Sequence, residues 1–469
     1  MVKKETLPEL YESLFKPLTV QGHGVYVREE GSGWVVHISQ PQAAKQILLK
    51  ADMFPKSQRN LLKGTLFNYF LGTENIVTTT GHEWKKHRLI VNPAFHRSSP
   101  VKLFGELAKQ MFTLWETKNP ESTFTVDFGN WMERFTLDVI GQAGFGFEFD
   151  AMANENNYWT QVYNKLINDS RRPLYLMFPI LDRHLSWLIP SRRAAFQNAD
   201  KFLGMLKQII EHKRKTLKSI DMDAMDECDK DLLTLMIESQ LRGEGQLTDT
   251  ELLNNLAIFF LAGHDTTAIA LSSAVYWLAR HPHIQEKARQ EVNAVLFPDG
   301  SLPDEDVVPT LENTKQFIYL NQVIKEALRL GGPATQLGTP REAQKEFELA
   351  GTGVMMPKGT MFTVNIFELH HNPELWEDPY TFNPDRFEAG GAAEQNAGNG
   401  LAWTPFSNGT RQCVGMNMSL VEQRVTLAML LRHYDISLPK DSIHRHGPVM
   451  KGGFQFKQAN LQIEFKKRF

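Results

Sequence analysis

The sequence predicts a mainly α fold with a small β portion. Apolar residues recur at helical spacing over most of the 469-residue chain, and that period is the primary sign of core-facing helices. Strand-like alternation is confined to stretches near residues 20–60, 350–367 and 453–465. A content of 42% hydrophobic and 22% charged residues suits a large globular protein of one domain or two.

Gly24-Val-Tyr-Val-Arg-Glu-Glu-Gly-Ser-Gly-Trp-Val-Val-His-Ile38 reads as a β-hairpin turning at Gly-Ser-Gly. Gly81-His-Glu-Trp84-Lys-Lys-His-Arg88 reads as a basic helix with Trp84 and Arg88 one turn apart on one face. From Arg172 to Pro190 the chain is apolar and rich in proline, which argues against one continuous helix. A long helix is expected from about Asp249 to Arg280. Thr248 and Glu251 form a capping-box pattern at its start, and His281-Pro282 ends it. Val354 to Ile366 reads as a second hairpin, turning at Pro357-Lys-Gly359. Ala389 to Gly400 reads as a small, polar, flexible insertion. Leu461, Ile463 and Phe465 alternate as a closing strand.

The net charge of −3 gives no nucleic-acid footprint. Two cysteines, Cys228 and Cys413, make a disulfide framework unexpected and point to a reducing compartment. No secretory signal opens the chain, and the apolar run Leu256 to Gly263 is too short to span a bilayer. No Gly-rich loop opens a helix after a strand, so no dinucleotide site is expected within the chain.

The densest chemistry lies in Phe406-Ser-Asn-Gly409-Thr-Arg411-Gln-Cys413-Val-Gly415. Cys413 falls where a turn meets a helix, and free N–H groups at a helix N-terminus favour a thiolate. Such a thiolate can hold a haem iron by itself. Gly409 permits a tight turn, Gly415 lets a flat macrocycle approach, and Phe406 screens the sulfur. Arg411 offers a forked donor to a carboxylate. For a lone cysteine a buried structural thiol is the alternative; these neighbours at these offsets favour the ligand. In Leu261-Ala-Gly-His-Asp-Thr-Thr-Ala268, Gly263 and the threonines are weak helix formers. A threonine hydroxyl there can bond the carbonyl one turn back and bend or widen the helix. An irregular surface helix is the alternative. Glu326 and Arg329 share a helix face, as an ordinary exposed pair would.

Phe-x-x-Gly-x-Arg-x-Cys-x-Gly resembles the haem-binding signature of the cytochrome P-450 monooxygenases, in the style of eukaryotic microsomal members. Four further segments match in the family's order: Trp84-x-x-x-Arg88, Ala262-Gly-x-Asp265-Thr266, Glu326-x-x-Arg329 and Pro384-x-Arg386-Phe387. The resemblance implies one catalytic domain over residues 1–469 with the cytochrome P-450 fold. Haem b would lie between the long helix and the cysteine-ligand helix, with Cys413 as axial ligand of the iron. Trp84, Arg88, Arg341 and Arg411 would face its propionates. Asp265 and Thr266 would relay protons for dioxygen activation. Glu326, Arg329 and Arg386 would form a buried ionic cluster behind the haem. After Arg329 the family's bulky residue and two prolines are replaced by Leu330-Gly331-Gly332-Pro333, which loosens the following segment, Ala334 to Thr339. Ala262 stands where some fatty-acid hydroxylases of the family carry a glutamate, so covalent attachment to haem is not open to this chain.

The implied activity is insertion of one oxygen atom from O2 into an apolar organic molecule, by hydroxylation or epoxidation. Electrons would come from NADPH through the flavin of a separate NADPH-cytochrome P-450 reductase or an equivalent donor. Lys85 and Lys86 beside Trp84 are the cations expected to meet it, with simple solvation of a charged face as the alternative. Phe67, Tyr69, Phe70, Phe259, Ala262 and Phe454 are candidate pocket walls, with plain core packing as the alternative for the aromatic ones. Other readings are a peroxide-driven peroxygenase, a haem isomerase, a haem-binding sensor or carrier without turnover, and a haem-free helical scaffold. The 172–190 segment, with Tyr175 and Trp187 between Arg171, Arg172, Arg192 and Arg193, suggests peripheral membrane contact; a buried connector is the alternative. Microsomal members carry an anchor and a proline-rich hinge ahead of the point where this chain begins. The expected location is the cytoplasmic side, at the endoplasmic reticulum membrane where such an anchor precedes it.

Overall fold

The computed structural model describes residues 24–30, 33–58, 64–97, 100–218, 230–243, 245–301, 303, 305–397, 400–451 and 457–469, with residues 9, 13, 16 and 17. Phe454, Cys228 and the Gly31-Ser32 turn fall outside them. The helices that frame the site are α1 (Gly81–Arg97), α2 (Val101–Lys118), α3 (Phe128–Val139), α4 (Tyr158–Ser170), α5 (Pro190–Leu217), α6 (Asp249–Arg280), α7 (Pro282–Leu296), α8 (Ile318–Gly331) and α9 (Met416–His433).

Helix α6 runs through the main hydrophobic core, packed on α3, α5, α8 and α9. Its start is fixed locally. Thr248 Oγ1 accepts from the Glu251 N–H at 3.1 Å, and Glu251 Oε2 accepts from the Thr248 N–H at 2.8 Å. Reciprocal caps of this kind satisfy donors the helix itself cannot. The apolar stretch of α6 is long enough to cross a membrane, but 78% of that window is buried inside the protein. Its composition therefore serves the core. Packing at Gly263 is tight: a Cβ there would lie 2.8 Å from Ile140 Cδ1, in the π-turn Ile140–Gly144 that follows α3, and that side chain would have to shift.

The β portion divides between two sheets and two short ladders. Strands β1 (Val25–Glu30) and β2 (Gly33–Ile38) form the expected hairpin. They are joined by β4 (Arg341–Glu342) and β5 (Met361–Val364) in the order β1-β2-β5-β4. A second sheet joins β3 (Thr123–Asp127), β7 (Gln462–Lys467) and β6 (Tyr434–Ser437), with β7 in the middle. The hairpin expected at Val354 to Ile366 does not form. Val354–Met356 is largely exposed and pairs with Phe347–Leu349, whereas β5 is wholly buried and pairs parallel with β2. An exposed arm and a buried arm need different partners. The expected flexible insertion contains a short helix, Ala392–Ala397, whose alanine, glutamate and glutamine content favours that state.

Behind the cysteine loop, Glu326 and Arg329 of α8 are both fully buried. Arg329 grips Glu326 through two hydrogen bonds, 2.7 and 2.8 Å, and donates to the carbonyls of His370 and Pro379 at 2.6 and 2.7 Å. Glu326 also accepts from the Asn383 N–H at 3.1 Å and lies 3.4 Å from Arg386 Nε. The Arg386 contact is a charge contact without hydrogen-bond alignment, since its Nε has no bonded partner. Burial and the nearby Arg329 charge hold the His371 imidazole down to about 3, so it stays neutral beside the guanidinium. The cluster ties α8 to the carbonyl of His370 in the short helix Ile366–His371 and to those of Pro379 and Thr381 in the following loop. Arg329→Ala is expected to cost about 3–5 kcal/mol, because it strands the Glu326 charge. A urea-unfolding midpoint close to wild type would contradict this.

Candidate functional site

Cys413 sits between the 3-10 turn Gly409–Arg411 and α9, with Gly415 as the cap residue of that helix. Its N–H donates to the Phe406 carbonyl at 3.0 Å, closing the loop. Gly409 has φ +70°, and a Cβ there would meet the Leu48 carbonyl oxygen at 2.5 Å, so only glycine fits. At Gly415 a Cβ would make ordinary contacts with Phe95 and Cys413 Sγ, 3.6 and 4.0 Å away. Phe406 is half-buried against the core. Burial pushes the Cys413 thiol up; the N–H groups of Gly415 and Met416, together with the Arg88 charge, oppose it without overcoming it. The helix N-terminus alone therefore does not make a thiolate, and a bound cation would complete the stabilisation.

Cys413 retains accessible surface although protein surrounds it. Ala262 does too, in the middle of an otherwise buried stretch of α6, as Gly263 and Thr266 do in part. An interior space thus borders both helices. Their crossing is fixed by Thr267 Oγ1 and Ser419 Oγ, 3.1 Å apart, one residue beyond Thr266 and less than two turns beyond Cys413. The Thr266 hydroxyl donates to the Ala262 carbonyl at 2.6 Å. Helix α6 nevertheless continues unbroken from Asp249 to Arg280, so the bond one turn back does not interrupt it.

Cations collect beside the cysteine loop. Arg88 donates to the Gln412 carbonyl at 3.1 Å, and Arg411 donates to the Thr79 carbonyl at 2.9 Å while its guanidinium lies 4.1 Å from the centre of the Trp84 ring. Arg341 in β4 is buried, and its Nε and Nη1 have no bonded partner among the described residues. A bridge between strand backbones sets Lys56 opposite Arg341, and Lys56 Nζ donates to the Val77 carbonyl at 2.7 Å. Desolvation pulls Arg341 down to about 10. Desolvation with the charges of Arg341 and Arg88 pulls Arg411 down to about 9. Desolvation with the charges of Arg341 and Arg411 pulls Lys56 down to about 7. No carboxylate acts on any of the three. A group carrying two carboxylates and a thiolate-seeking iron fits this donor set, as haem b does. Lys56 escaped sequence reasoning: the signal is a missing counter-charge, which only the folded chain displays.

Asp265 projects elsewhere from α6. Its Oδ2 lies 2.6 Å from Arg171 Nη2, and its Oδ1 lies 2.9 Å from His264 Nδ1. Burial would raise this carboxyl, but His264 and Arg171 outweigh burial and hold it at about 2. Asp265 is thus ionised in its resting state at neutral pH.

Several candidate residues fall in other surroundings. Phe70 is fully buried and packs edge-on against Phe202, so it is core. Phe259 packs edge-on against Phe95, whose ring lies against Gly415, which puts it beside the cysteine loop. Tyr69 is exposed; its hydroxyl donates to Asp200 of α5 at 2.5 Å, a tether between elements. Phe67 is half-buried against the core. Lys86 is no free docking cation, because it pairs with Glu251 at 2.7 Å and so joins α1 to the cap of α6; Lys85 is exposed. In the 172–190 segment the prolines break the chain into Pro173–Met177, Ile180–Leu185 and the 3-10 turn Ser186–Leu188. Met177, Phe178, Ile180, Trp187 and Leu188 are exposed. Tyr175 and Arg192 are not: both are buried, with the Arg192 guanidinium 3.8 Å from the Tyr175 ring centre. Arg192 grips Asp182 at 2.5 and 2.6 Å, and Asp182 also accepts the Leu66 N–H at 2.9 Å. Arg171 is taken by Asp265, which leaves Arg172 and Arg193 facing outward.

The depressed Lys56 has a measurable consequence for the haem-free protein. Its folded pKa of about 7 lies below the ordinary 10.5. In between, the unfolded chain binds a proton that the folded protein does not, so stability rises with pH across that window. Below about pH 7 the penalty for a buried charge is complete. Lys56→Met is expected to raise the melting temperature of haem-free protein at pH 6 to 7 and to flatten its rise toward pH 10. It should speed haem loss from the loaded protein to an acceptor such as apomyoglobin. A variant that changed neither quantity would separate Lys56 from the site.

Comparison with known proteins bears directly on this geometry. The family profile described as Cytochrome P450 matches residues 23–465. The chain is 28% identical over 408 residues to Cytochrome P450 4c21 of Blattella germanica, covering 85% of this chain and 77% of that protein. It is 29% identical over 437 residues to Cytochrome P450 4F3 of Rattus norvegicus, covering 89% and 78%. Among solved structures, the heme domain of cytochrome P450DA superposes with a TM-score of 0.79 at 20% identity, covering 100% of this chain and 96% of that one. A second, the cytochrome P450 CYP102L1, reaches 0.81 at 21% identity, covering 98% and 99%; both likenesses speak to the fold. The chain belongs to the cytochrome P450 family, the haem-thiolate monooxygenases that carry haem b.

Proposed function

We propose that Cys413 is the thiolate ligand of the haem, and that the enzyme oxygenates an apolar organic molecule with electrons passed from NADPH by a separate flavoprotein reductase. The observation that carries this reading is the uncompensated cation group beside the cysteine: Arg88 acts on both the Cys413 sulfur and Arg411. Lys56, Arg88, Arg341 and Arg411 would hold the propionates, with Trp84 stacking on Arg411 to fix its guanidinium. Bound haem supplies dioxygen activation, in which one oxygen atom enters the substrate and the other leaves as water, consuming two electrons and two protons. The chain's part is to place and feed that chemistry. Ala262 and Thr266 present a small apolar surface and a hydroxyl to the interior space. Thr266 Oγ1 donates to the Ala262 carbonyl, which leaves its lone pairs free to accept a proton donor from the space. Asp265, kept ionised, is the carboxylate through which protons reach Thr266.

Reduced wild-type protein under carbon monoxide should show the strongly red-shifted Soret band of thiolate ligation, and Cys413→Ser should lose it. Thr266→Ala should keep that band. With reductase and NADPH but no substrate it should form water from dioxygen roughly tenfold more slowly or worse, the flux going to hydrogen peroxide. Retention of the band in Cys413→Ser would refute the ligand; an unchanged water-to-peroxide ratio in Thr266→Ala would refute the relay.

A second reading concerns location. The exposed Met177, Phe178, Ile180, Trp187 and Leu188, with Arg172 and Arg193 nearby, form an apolar surface with a cationic rim. Such surfaces suit the boundary between lipid and water. Peripheral membrane contact through this patch is the proposal. In sedimentation with anionic liposomes the protein should co-pellet. Replacing Leu185, Trp187 and Leu188 with serine should release it and leave the carbon monoxide band intact. Failure of the unaltered protein to pellet at any lipid charge would dismiss the contact.

A further inference from the structure

A polar cleft of about 230 Å3 opens beside α6 on its α3 and α4 side. Asn130, Glu133 and Arg134 of α3, Asn164 of α4, Glu155 of the connecting loop and His264 line it. His264 is the point where this cleft touches α6. Its carbonyl accepts from Thr136 Oγ1 at 3.1 Å, and its ring stands edge-on to Tyr163 at 5.4 Å. Both contacts hold the ring in place. Its Nδ1 is buried and lacks an aligned hydrogen bond, yet lies 2.9 Å from Asp265 Oδ1. The imidazole therefore stands between solvent-lined polar groups on one side and the Asp265 carboxylate on the other.

We propose that this cleft is the proton inlet of the enzyme and that His264 passes protons from it to Asp265. The proposal rests on the relay role given to Asp265 and Thr266 above. An imidazole can do this because its ring has two nitrogens. Cleft water gives a proton to Nε2 as Nδ1 releases one to Asp265 Oδ1, so the ring gains none overall. The ring resets by turning outward, where cleft water protonates Nδ1 and takes the proton from Nε2, and then turning back. The Nδ1 contact is short but not in line, so the transfer needs a small rotation of the ring or carboxylate. The charged and titratable groups facing the ring are Asp265 and, through it, Arg171; Tyr163 from α4; Glu133 and Arg134 from α3; and Glu155 from the loop. Glu133 is tied to Lys457, and Arg134 to Glu155 at 2.6 Å. Those pairs leave Asp265 as the one carboxylate in contact with the ring among the described residues. The opposite face of Asp265 is closed by the 2.6 Å Arg171 contact, and an arginine cannot hand on a proton at neutral pH.

The test uses haem-loaded protein with reductase and NADPH, without substrate. His264→Phe keeps a ring against Tyr163 but carries no exchangeable proton. His264→Gln keeps a hydrogen-bonding group that cannot relay one. Both should form water roughly tenfold more slowly, in the direction of Thr266→Ala. Asn164→Phe, which plugs the cleft without touching the ring, should do the same to a lesser degree. A second readout does not depend on turnover. In the diamagnetic ferrous carbon monoxide complex, ring 15N signals of His264 should shift in tautomer ratio when Asp265→Asn removes the acceptor. If Thr266→Ala and Asp265→Asn act while the His264 and Asn164 variants and the ring signals do not respond, the inlet is overturned and the relay stands. If Arg171→Leu reproduces the Thr266→Ala effect while His264→Phe does not, the inlet lies on the arginine side and this assignment falls. If none of the variants acts, both assignments fall together.

Discussion

Arg341 and Arg411 depress Lys56, Arg341 and Arg88 depress Arg411, and no carboxylate of the described residues acts on Lys56, Arg341 or Arg411. Like charges in a poorly solvated place repel strongly, and each also forfeits hydration. A fold does not bring such groups together for its own stability. Something rigid must hold them, and the dianionic partner proposed above would offset their repulsion and their lost hydration. The holding is visible in the backbone carbonyls of Gln412, Thr79 and Val77 that accept from Arg88, Arg411 and Lys56, and in the strand pairing that seats Arg341. On the proposed assignment, the chain is built around its cofactor in an energetic sense.

The opposite arrangement operates a few residues away. Glu326 is buried between Arg329 and Arg386, so these cations have a carboxylate among them. That cluster contributes nothing to chemistry directly. It anchors the loop through Thr381 and Asn383. One group of cations has its own counter-charge and the other does not, so only the second calls for an anion from outside the chain.

How far the sequence spoke depended on the reach of each interaction. The cap of α6 was legible because Thr248 and Glu251 are three residues apart. The β1–β2 hairpin was legible for the same reason. The arms around Pro357–Gly359 were misread because β5 answers to β2, more than three hundred residues earlier. Alternation tells that a strand exists and says nothing about its neighbour. The thiol of Cys413 was expected to profit from its helix N-terminus. The N–H groups are there, but desolvation is a property of everything packed nearby, which no local pattern records. Phe70, Phe259 and Tyr69 are all aromatic; burial separates Tyr69 from the two phenylalanines, and packing partners separate those from each other. Arg192 and Tyr175 were drawn outward by their apolar setting; Asp182, a partner ten residues away, draws Arg192 inward.

That buried partner has a wider consequence. Asp182 joins the Arg192 guanidinium to the N-terminus of the helix Leu66–Leu71, while Tyr69 of the same helix is moored to Asp200 on α5. The roof over this side of the molecule is thus riveted across three chain segments that are distant in sequence. Peeling it back at Asp182 or Arg192 would leave a desolvated charge alone, since both are buried; the Tyr69–Asp200 tether is exposed. Movement must be collective, like a hatch and unlike a curtain. Were a ligand to pass on this side, the population of an opened form would scale its apparent affinity. Selectivity on this route would reside as much in the lifting of the hatch as in the shape of the chamber below.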